Sequence, residues 1–557
     1  MFIRTQTNAN RTYLLLVENQ RVNGRIQQHV LARLGRLDEL RASGELDRLL
    51  ASLGRFSEKL AVLGAHAEGE CLTVGERIIG PALIFERLWQ ELGIDRVLAE
   101  LAGQRRFSFS LERAVFVSVV HRLVAPGSDR SAQKWKSAYA IAEADGLQLH
   151  QFYRAMGWLG EAIIDAGAPG ATSEEARVPR TRKDLIEERL FDRRRDLFSA
   201  LDVVFFDTTS IYFEGEGGES LGQYGHSKDH RPDLKQMVVG VVVDNQGRPI
   251  MSQMWPGNMA DVKSLVPVVD RLRTYFKVNE ICIVADRGMI SAATIEQIKA
   301  RGWQYILGVR MRRLKEANEA VLARAGRYEE VYPMALGQPQ SEDSKAPSAL
   351  KVKEVWVEDR RYVVCLNDDQ ASKDRHDREA IVAALKAALK QGDKQLIGNR
   401  GYRKFVKASG ERFALDEDKI KAEARFDGKW VLTTNTPLPA RELALKYKQL
   451  WLVEAIFRTA KSQLDTRPIF HQCDDTIRGH VFCSFLALLL RVELEERLAR
   501  RGWKLEWTDI VADLDRLQEI NLNVNDKAYT LRTEAKGAVG KVFQACGVAL
   551  PPTLRQN

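Results

Sequence analysis

Cysteine is scarce in this sequence. Six cysteines occur among 557 residues, and they are scattered, with no pair separated by two residues. A disulfide framework and a zinc ribbon both need closely spaced cysteines, so neither is indicated. We therefore expect a protein of a reducing cytoplasm.

Long hydrophobic runs are also missing. The longest, VFCSFLALLL at 481–490, has ten residues, whereas a membrane-spanning helix needs roughly 20. This run predicts a core helix. Near the N-terminus the apolar run LLLV is shorter than the seven or more residues of a secretion signal, so we expect no secretion by that route.

Charge is plentiful and slightly unbalanced. Lys and Arg number 84 against 75 Asp and Glu, a formal net charge of +9. The excess weakly suggests a polyanionic partner. The length predicts about three or four domains.

The first 200 residues contain mixed and then helical patterns. We predict a small mixed module over 1–70 and a mainly helical region over 71–200. The charged stretch RVPRTRKDLIEERLFDRRRDLF near the end of this region is typical of either a solvated helix or a DNA-contacting face.

The period changes at residue 201, where short apolar runs begin. VVFFD, MVVGVVVD, PIMSQMW, ICIVAD and GWQYILGVRM predict five strands, with helices before and after the fourth. Strand, two-stranded hairpin, helix, strand, helix, strand is the ribonuclease H-like order. We therefore predict an α/β fold with a five-stranded mixed sheet and helices on both faces.

The chain then departs from this layout. We predict a first part of the core over 201–311, a β-rich insertion domain over 312–429, a second part of the core over 430–500 and a C-terminal tail region over 501–557. The insertion carries basic residues that could line a DNA channel or solvate its surface: Arg310, Arg312, Arg313, Arg400, Arg403 and Lys404.

Three acids stand out around the predicted core. Asp207 is predicted to end the first strand and Asp286 the fourth, and these strands are neighbours in the layout. Glu454 lies in YKQLWLVEAIFRTAKSQL, residues 447–464, which predicts one largely buried helix. Alone, each aspartate could cap a turn, and Glu454 could pair with Arg458.

Together the three carboxylates predict a metal site, because they would repel one another without cations between them. Hard oxygen ligands favour Mg²⁺ or Mn²⁺ over zinc. Two such ions support in-line displacement at phosphorus, so we expect phosphodiester chemistry.

The chain resembles the DDE transposases of bacterial insertion sequences, whose catalytic glutamate lies in a Tyr-x2-Arg-x3-Glu-x6-Lys helix. Tyr447, Glu454 and Lys461 match that helix, and Leu450 stands where the family has Arg. FFDTTSIYFEG, GHSKDHRPDLKQ, VADRGM, FDGKWVLTTN and RPIFH resemble other blocks of the family.

The resemblance implies a catalytic triad of Asp207, Asp286 and Glu454 that binds two Mg²⁺ ions, with Mn²⁺ as a substitute. It implies cleavage at the terminal inverted repeats and transfer of the 3′-hydroxyl to target DNA. It further implies a homodimer on paired DNA ends, near the nucleoid, with end binding by the first 200 residues. The residues that it predicts to contact DNA are Tyr447, Arg458, Lys461, Lys228, Arg231 and Lys235.

Other functions remain open from sequence. One is another ribonuclease H-like nuclease, and a second is a non-catalytic DNA-binding protein derived from a transposase. His226 and His230 lack a third ligand at zinc spacing, and GEGGES lacks the features of a phosphate-binding loop. We therefore predict neither zinc nor a nucleotide cofactor.

Overall fold

The computed structural model describes residues 1–8, 11–22, 25–54, 72–163, 178–195, 203–278, 281–289, 291–332, 349–391, 404–409, 412–524 and 527–557. Its strands are β1 (Phe2–Asn8), β2 (Arg11–Val22), β3 (Arg25–Arg36), β4 (Leu72–Ile78), β5 (Val203–Tyr212), β6 (Gln236–Val243), β7 (Pro249–Pro256), β8 (Cys282–Ala285), β9 (Gln304–Gly308), β10 (Glu329–Val331), β11 (Leu350–Val357), β12 (Arg360–Asn367), β13 (Val406–Ser409), β14 (Arg412–Leu415), β15 (Lys429–Thr434), β16 (Gln518–Val524), β17 (Lys527–Arg532) and β18 (Leu554–Gln556). Its α-helices are α1 (Leu37–Ala42), α2 (Glu45–Gly54), α3 (Gly80–Glu91), α4 (Ile94–Ala102), α5 (Leu111–Val124), α6 (Asp129–Trp135), α7 (Leu149–Gly160), α8 (Arg182–Arg195), α9 (Leu265–Thr274), α10 (Ala292–Ala300), α11 (Asp368–Gln391), α12 (Glu417–Ala424), α13 (Ala440–Lys448), α14 (Trp451–Ser462), α15 (Asp474–Arg500), α16 (Trp507–Asp515) and α17 (Val539–Cys546).

A large mixed sheet organises the middle of the chain. Its described strands run in the order β10-β11-β12-β15-β9-β8-β5-β6-β7. Strands β5, β8 and β9 pair in parallel, and the other neighbours pair antiparallel. Strands β5 to β9 lie where the sequence predicts strands. The sheet is larger than predicted because β10, β11, β12 and β15 extend its edge beside β9.

The two faces of this sheet bury different helices. Alternate side chains of β5 point to opposite faces, so Val203 and Phe205 enter one core cluster and Val204 and Phe206 the other. Helices α13, α14 and α15 contribute to the first cluster, and α9 and α10 contribute to the second. The two layers of helices on either side of the sheet are therefore as predicted.

The apolar run at 481–490 lies within α15, as predicted for a core helix. Its side chains are buried against α5 and α7 of the helical region. None of the described helices is both long enough and apolar enough to cross a membrane.

The C-terminal segment is not a separate tail. Strand β16 pairs with β4, and the two belong to a four-stranded sheet with β17 and β18. Residues 1–36 contribute a three-stranded sheet, and β13 and β14 form a hairpin within the predicted insertion. The predicted boundaries at 70 and 200, like Arg400 and Arg403, lie outside the described residues, and the domain limits stay predictions.

The charged stretch near residue 190 forms a helix, as one of its two predicted forms requires, but part of its charge is packed instead of solvated. Helix α8 is packed, and its side chains Lys183, Asp184 and Glu187 are buried. Arg271 of α9 lies 2.8 Å from both Asp184 and Glu187. The buried charges on this face therefore form ion pairs with one another and are not exposed to solvent or DNA.

Candidate active site

The two aspartates lie at one level of the large sheet. In the parallel pairing of β5 with β8, Phe206 is opposite Ala285, so the next residues, Asp207 and Asp286, are adjacent. Both follow the alternation that places Phe205 and Val284 on the face covered by α13 and α14. The prediction that Asp207 ends its strand is wrong. Strand β5 continues to Tyr212, since β-branched and aromatic residues follow the aspartate.

Glu454 reaches the same face from α14. The sequence predicts one buried helix over 447–464, but the helix is interrupted after Lys448 and starts again at Trp451. Glu454 is exposed, because α14 buries Val453, Ile456 and Phe457 and turns the carboxylate away from them. In the described structure Glu454 and Arg458 do not form the ion pair that was the alternative from sequence.

One cavity of about 300 Å³ brings the three acids together. It is lined by Asp207, Asp286, Arg287, Gly308, Val309, Met311, Trp430, Val431, Tyr447 and Glu454. The side chains come from strands and helices almost 250 positions apart in sequence. The triad predicted from isolated acids therefore shares one opening, which we call the acidic cavity.

Burial and the neighbouring carboxylates act together on Asp207, and Lys228 and Thr208 oppose them. Burial, helped by the carboxylates of Asp286 and Asp261, outweighs the Lys228 ammonium and the Thr208 N–H, and the net effect raises the pKa of Asp207 to about 6. That N–H donates to Asp207 Oδ1 at 2.7 Å. The carboxylate is thus held in place while its charge is only partly compensated.

Tyr447 orients the second aspartate. Its hydroxyl donates to Asp286 Oδ1 at 3.2 Å. Burial, followed by the charge of Asp286, raises the pKa of Tyr447, so the hydroxyl keeps its proton. Gly308 provides the space, because a Cβ there would lie 2.3 Å from the Tyr447 oxygen.

Asp261 is a fourth acid that the sequence analysis missed. Thr208 donates to it through Oγ1 at 2.8 Å, and Lys228 Nζ lies 3.2 Å away. Asp261 precedes α9, far from the other acids in sequence, and no pattern in the chain distinguishes it. Only the fold brings it beside Asp207.

Four arginines surround a second cavity of about 580 Å³, which we call the arginine cavity. It is lined by His226, Asp261, Asp286, Arg287, Gly288, Arg310, Met311, Arg312 and Arg313. Arg310 donates to the carbonyls of Arg287 and Gly288, and Arg312 pairs with Glu423 at 3.0 Å. The two cavities share Asp286, Arg287 and Met311, so positive charge lies directly beside the carboxylates.

The residues predicted to contact DNA are dispersed. Tyr447 lines the acidic cavity, and Arg458 is exposed on α14. Arg231 pairs with Asp233, Lys235 with Glu216, Lys461 with Asp229 and Lys228 with Asp261. Leu450, in place of the family arginine, is buried in the core at the start of α14.

The donor set of the acidic cavity suits a hard divalent cation, because carboxylates are hard oxygen ligands and three of them in one cavity repel one another unless a cation lies between them. A second group, formed by Asp129, His471 and His480, also brings possible ligand atoms within 4.8 Å of one another. Arg122 lies 2.9 Å from Nδ1 of His480 and 3.7 Å from Asp129. This buried guanidinium already supplies the positive charge there.

Comparisons with known proteins identify the family. The family model described as the transposase DDE domain matches residues 199–490, just over half of the chain. A second, described as the N-terminal domain of IS1634 family transposases, matches residues 3–67. No curated protein matches the chain significantly.

Solved structures give weaker likenesses. A piggyBac transposase synaptic complex with hairpin DNA is 10% identical, with a TM-score of 0.37, over 78% of this chain and 79% of that one. A Mos1 transposase paired-end complex with the left transposon end is 13% identical, with a TM-score of 0.15, over 36% and 60%. The assignment rests on the two family models. The chain belongs to the DDE transposase family and is the transposase of an insertion sequence, with an N-terminal domain of the IS1634 type.

Proposed function

We propose that Asp207, Asp286 and Glu454 hold two Mg²⁺ ions, or Mn²⁺ in their place, and that the acidic cavity is where DNA is cut and joined. The observation that carries the proposal is the single opening shared by these three carboxylates. When bound, the ions would activate an oxygen nucleophile and stabilise the leaving oxygen of a phosphodiester.

The protein's own groups prepare this site. Thr208 and Tyr447 each donate a hydrogen bond to one aspartate, so both carboxylates are oriented before any substrate arrives. Strand order β7-β6-β5-β8-β9 supports a ribonuclease H-like core, in which the acids meet on one face of the parallel strands.

The arginine cavity supports a path for the DNA backbone beside the acids. Arg287 lines both cavities and is exposed, as is Arg313. Guanidinium groups bind phosphate oxygens in bidentate fashion, so this position suits the phosphates flanking the cut. We propose terminal inverted repeats and target DNA as the partners, with Tyr447, Arg458, Arg231 and Lys235 as candidate contacts.

Cleavage of labelled DNA tests the proposal. With Mg²⁺ or Mn²⁺, a duplex carrying the inverted repeat from either flank of the gene should be nicked at the repeat tip, leaving a 3′-hydroxyl. Asp207→Asn, Asp286→Asn and Glu454→Gln should each abolish nicking while repeat binding persists. Glu442→Gln, at an exposed position of the neighbouring α13, is the matched control and should cut normally. Normal cutting by Glu454→Gln would contradict the assignment.

We further propose that two copies assemble on paired ends. Light scattering with and without the end duplex should show a dimer at least in the complex. A monomer bound to a single end under cleaving conditions would contradict this.

A further inference from the structure

A buried acid lies in the loop that connects β5 and β6, residues 213–235. The side chain of Asp229 is 6% exposed, and its Oδ1 accepts from two cations. Lys461 Nζ is 2.8 Å away and Arg467 Nη1 is 2.5 Å away. Among the described residues nothing bonds to Oδ2. Burying this charge is costly, so its two partners hold the loop firmly against the end of α14.

Lys228, the residue before Asp229, contacts β5, the strand that carries Asp207. Lys228 Nζ donates to the carbonyl and to the hydroxyl of Thr208, each at 2.8 Å, and lies 3.2 Å from Asp261. Its backbone N–H donates to Ser210 Oγ at 2.8 Å. Since Thr208 follows Asp207, the ammonium group of Lys228 lies beside the proposed metal ligands.

We propose that Asp229 is a positioning residue of the active site: clamped by Lys461 and Arg467, it holds Lys228 against Asp207 and Asp261. Lys461, which matches the last residue of the family helix, serves this clamp rather than a DNA phosphate. The inference rests on the function proposed for the acidic cavity. It assigns a structural partner to each of two lysines that sequence reasoning placed on DNA.

If Lys461 serves the clamp, its replacement should affect DNA affinity and the salt dependence of binding differently than if it contacts a phosphate. If Lys461 binds DNA, Lys461→Met should weaken repeat binding and lower the salt dependence by about one phosphate contact. If it serves the clamp, repeat affinity and salt dependence should stay unchanged. Asp229→Asn removes a negative charge, so DNA should bind as tightly as before or more tightly, whereas single-turnover cleavage at saturating DNA should fall.

A double-mutant cycle tests whether Asp229 acts through Lys228. Asp229→Asn and Lys228→Met should each slow cleavage, and the double variant should be no slower than Lys228→Met alone, because the two act as one unit. Lys461→Arg keeps a cation and should retain most of the rate. Glu219→Gln, at an exposed acid of the same loop that forms no ion pair among the described residues, is the matched control and should change neither rate nor affinity.

Mn²⁺ titration without DNA gives a readout independent of cleavage. Lys228→Met removes a positive charge beside the proposed metal ligands. Asp229→Asn releases the loop, so that the Lys228 ammonium group can move away from those ligands. Both should therefore tighten Mn²⁺ binding by about fivefold, the order of one unit charge a few ångströms away. Glu219→Gln should leave Mn²⁺ affinity unchanged.

The outcomes separate this inference from the proposed function. If the wild-type protein neither cuts DNA nor binds Mn²⁺, the function of the acidic cavity fails first. If the wild type does both and Asp229→Asn matches it in rate and Mn²⁺ affinity, the positioning role is overturned. Additive losses in the double variant, or a lower salt dependence in Lys461→Met, would also overturn it. Should Asp229→Asn fail to fold, Lys461→Met carries the same comparisons.

Discussion

At the scale of single residues, Asp207 shows a conflict between stability and chemistry. Its carboxylate is half-buried beside Asp286 and Asp261, and its pKa is raised from 3.8 to about 6. The folded protein therefore binds a proton more tightly than the unfolded chain between these two pH values. Stability from this group is present below about pH 4 and is lost as pH rises through about 6.

We expect Asp207→Asn to stabilise the metal-free protein above pH 6 by about 2 kcal/mol, because the neutral amide avoids the cost of a half-buried, repelled charge. The gain should fade as pH falls towards 4, where wild-type Asp207 is protonated. Urea unfolding with a chelator present measures both values. The exposed Asp465→Asn is the control and should show neither effect. A loss of stability in Asp207→Asn above pH 6 would contradict the prediction.

Gly308 makes a second prediction at this scale. Gly308→Ala would place a methyl group against the Tyr447 hydroxyl and displace its hydrogen bond to Asp286. We expect cleavage to slow by about a hundredfold, as for small misplacements of catalytic groups. Gly146→Ala is the control, since a Cβ there meets nothing within 4 Å. A wild-type rate in Gly308→Ala would show that the Tyr447 contact is dispensable.

At the scale of elements, periodicity predicts what depends on local sequence. Strands β5 to β9 and the core helix α15 follow from their apolar patterns, and so do the acids that they carry. The break between α13 and α14 was not predictable from local sequence. It places Tyr447 and Glu454 around one cavity, and the strands that form this cavity are distant in sequence. Asp261 and the partners of Lys228 were hidden for the same reason: contacts across 20 to 53 positions leave no local signal.

The buried charges between α8 and α9 provide a prediction about elements. Arg271→Met would leave Asp184 and Glu187 with one fewer partner in a site closed to water. We expect a loss of about 3–5 kcal/mol in the free energy of unfolding, measured in urea. Arg301→Met, which breaks a partly exposed pair with Asp270, should cost less than about 1 kcal/mol. Equal losses in the two variants would contradict the importance of burial.

At the scale of the whole molecule, the C-terminal segment and the helical region depend on each other. Strand β16 pairs with β4, and α17 packs against α3 and α15. From sequence, residues 501–557 are predicted as a tail, because pairing across more than 400 positions cannot be inferred from pattern. The helical region and the C-terminal segment instead share the largest core cluster.

Truncation after Arg516 tests this dependence. Removing the later residues deletes the partners of β4 and exposes apolar side chains such as Val542 and Phe543. We expect the helices over 80–160 to become sensitive to protease and the midpoint of thermal unfolding to fall. Replacing residues 1–8 with a flexible linker is the control, because β1 pairs only with β2 among the described strands. An equally resistant truncated protein would show that the C-terminal sheet is dispensable.

The parallel register of β5, β8 and β9 has a consequence for how the gene can change. Asp207, Asp286 and Gly308 are level only because β8 spans four residues immediately before Asp286. One inserted or deleted codon within β8 would turn Asp286 to the opposite face, among the side chains around α9 and α10. The length of β8 thus determines the face of the sheet on which Asp286 lies. The gene can therefore accumulate substitutions in this strand far more readily than insertions or deletions.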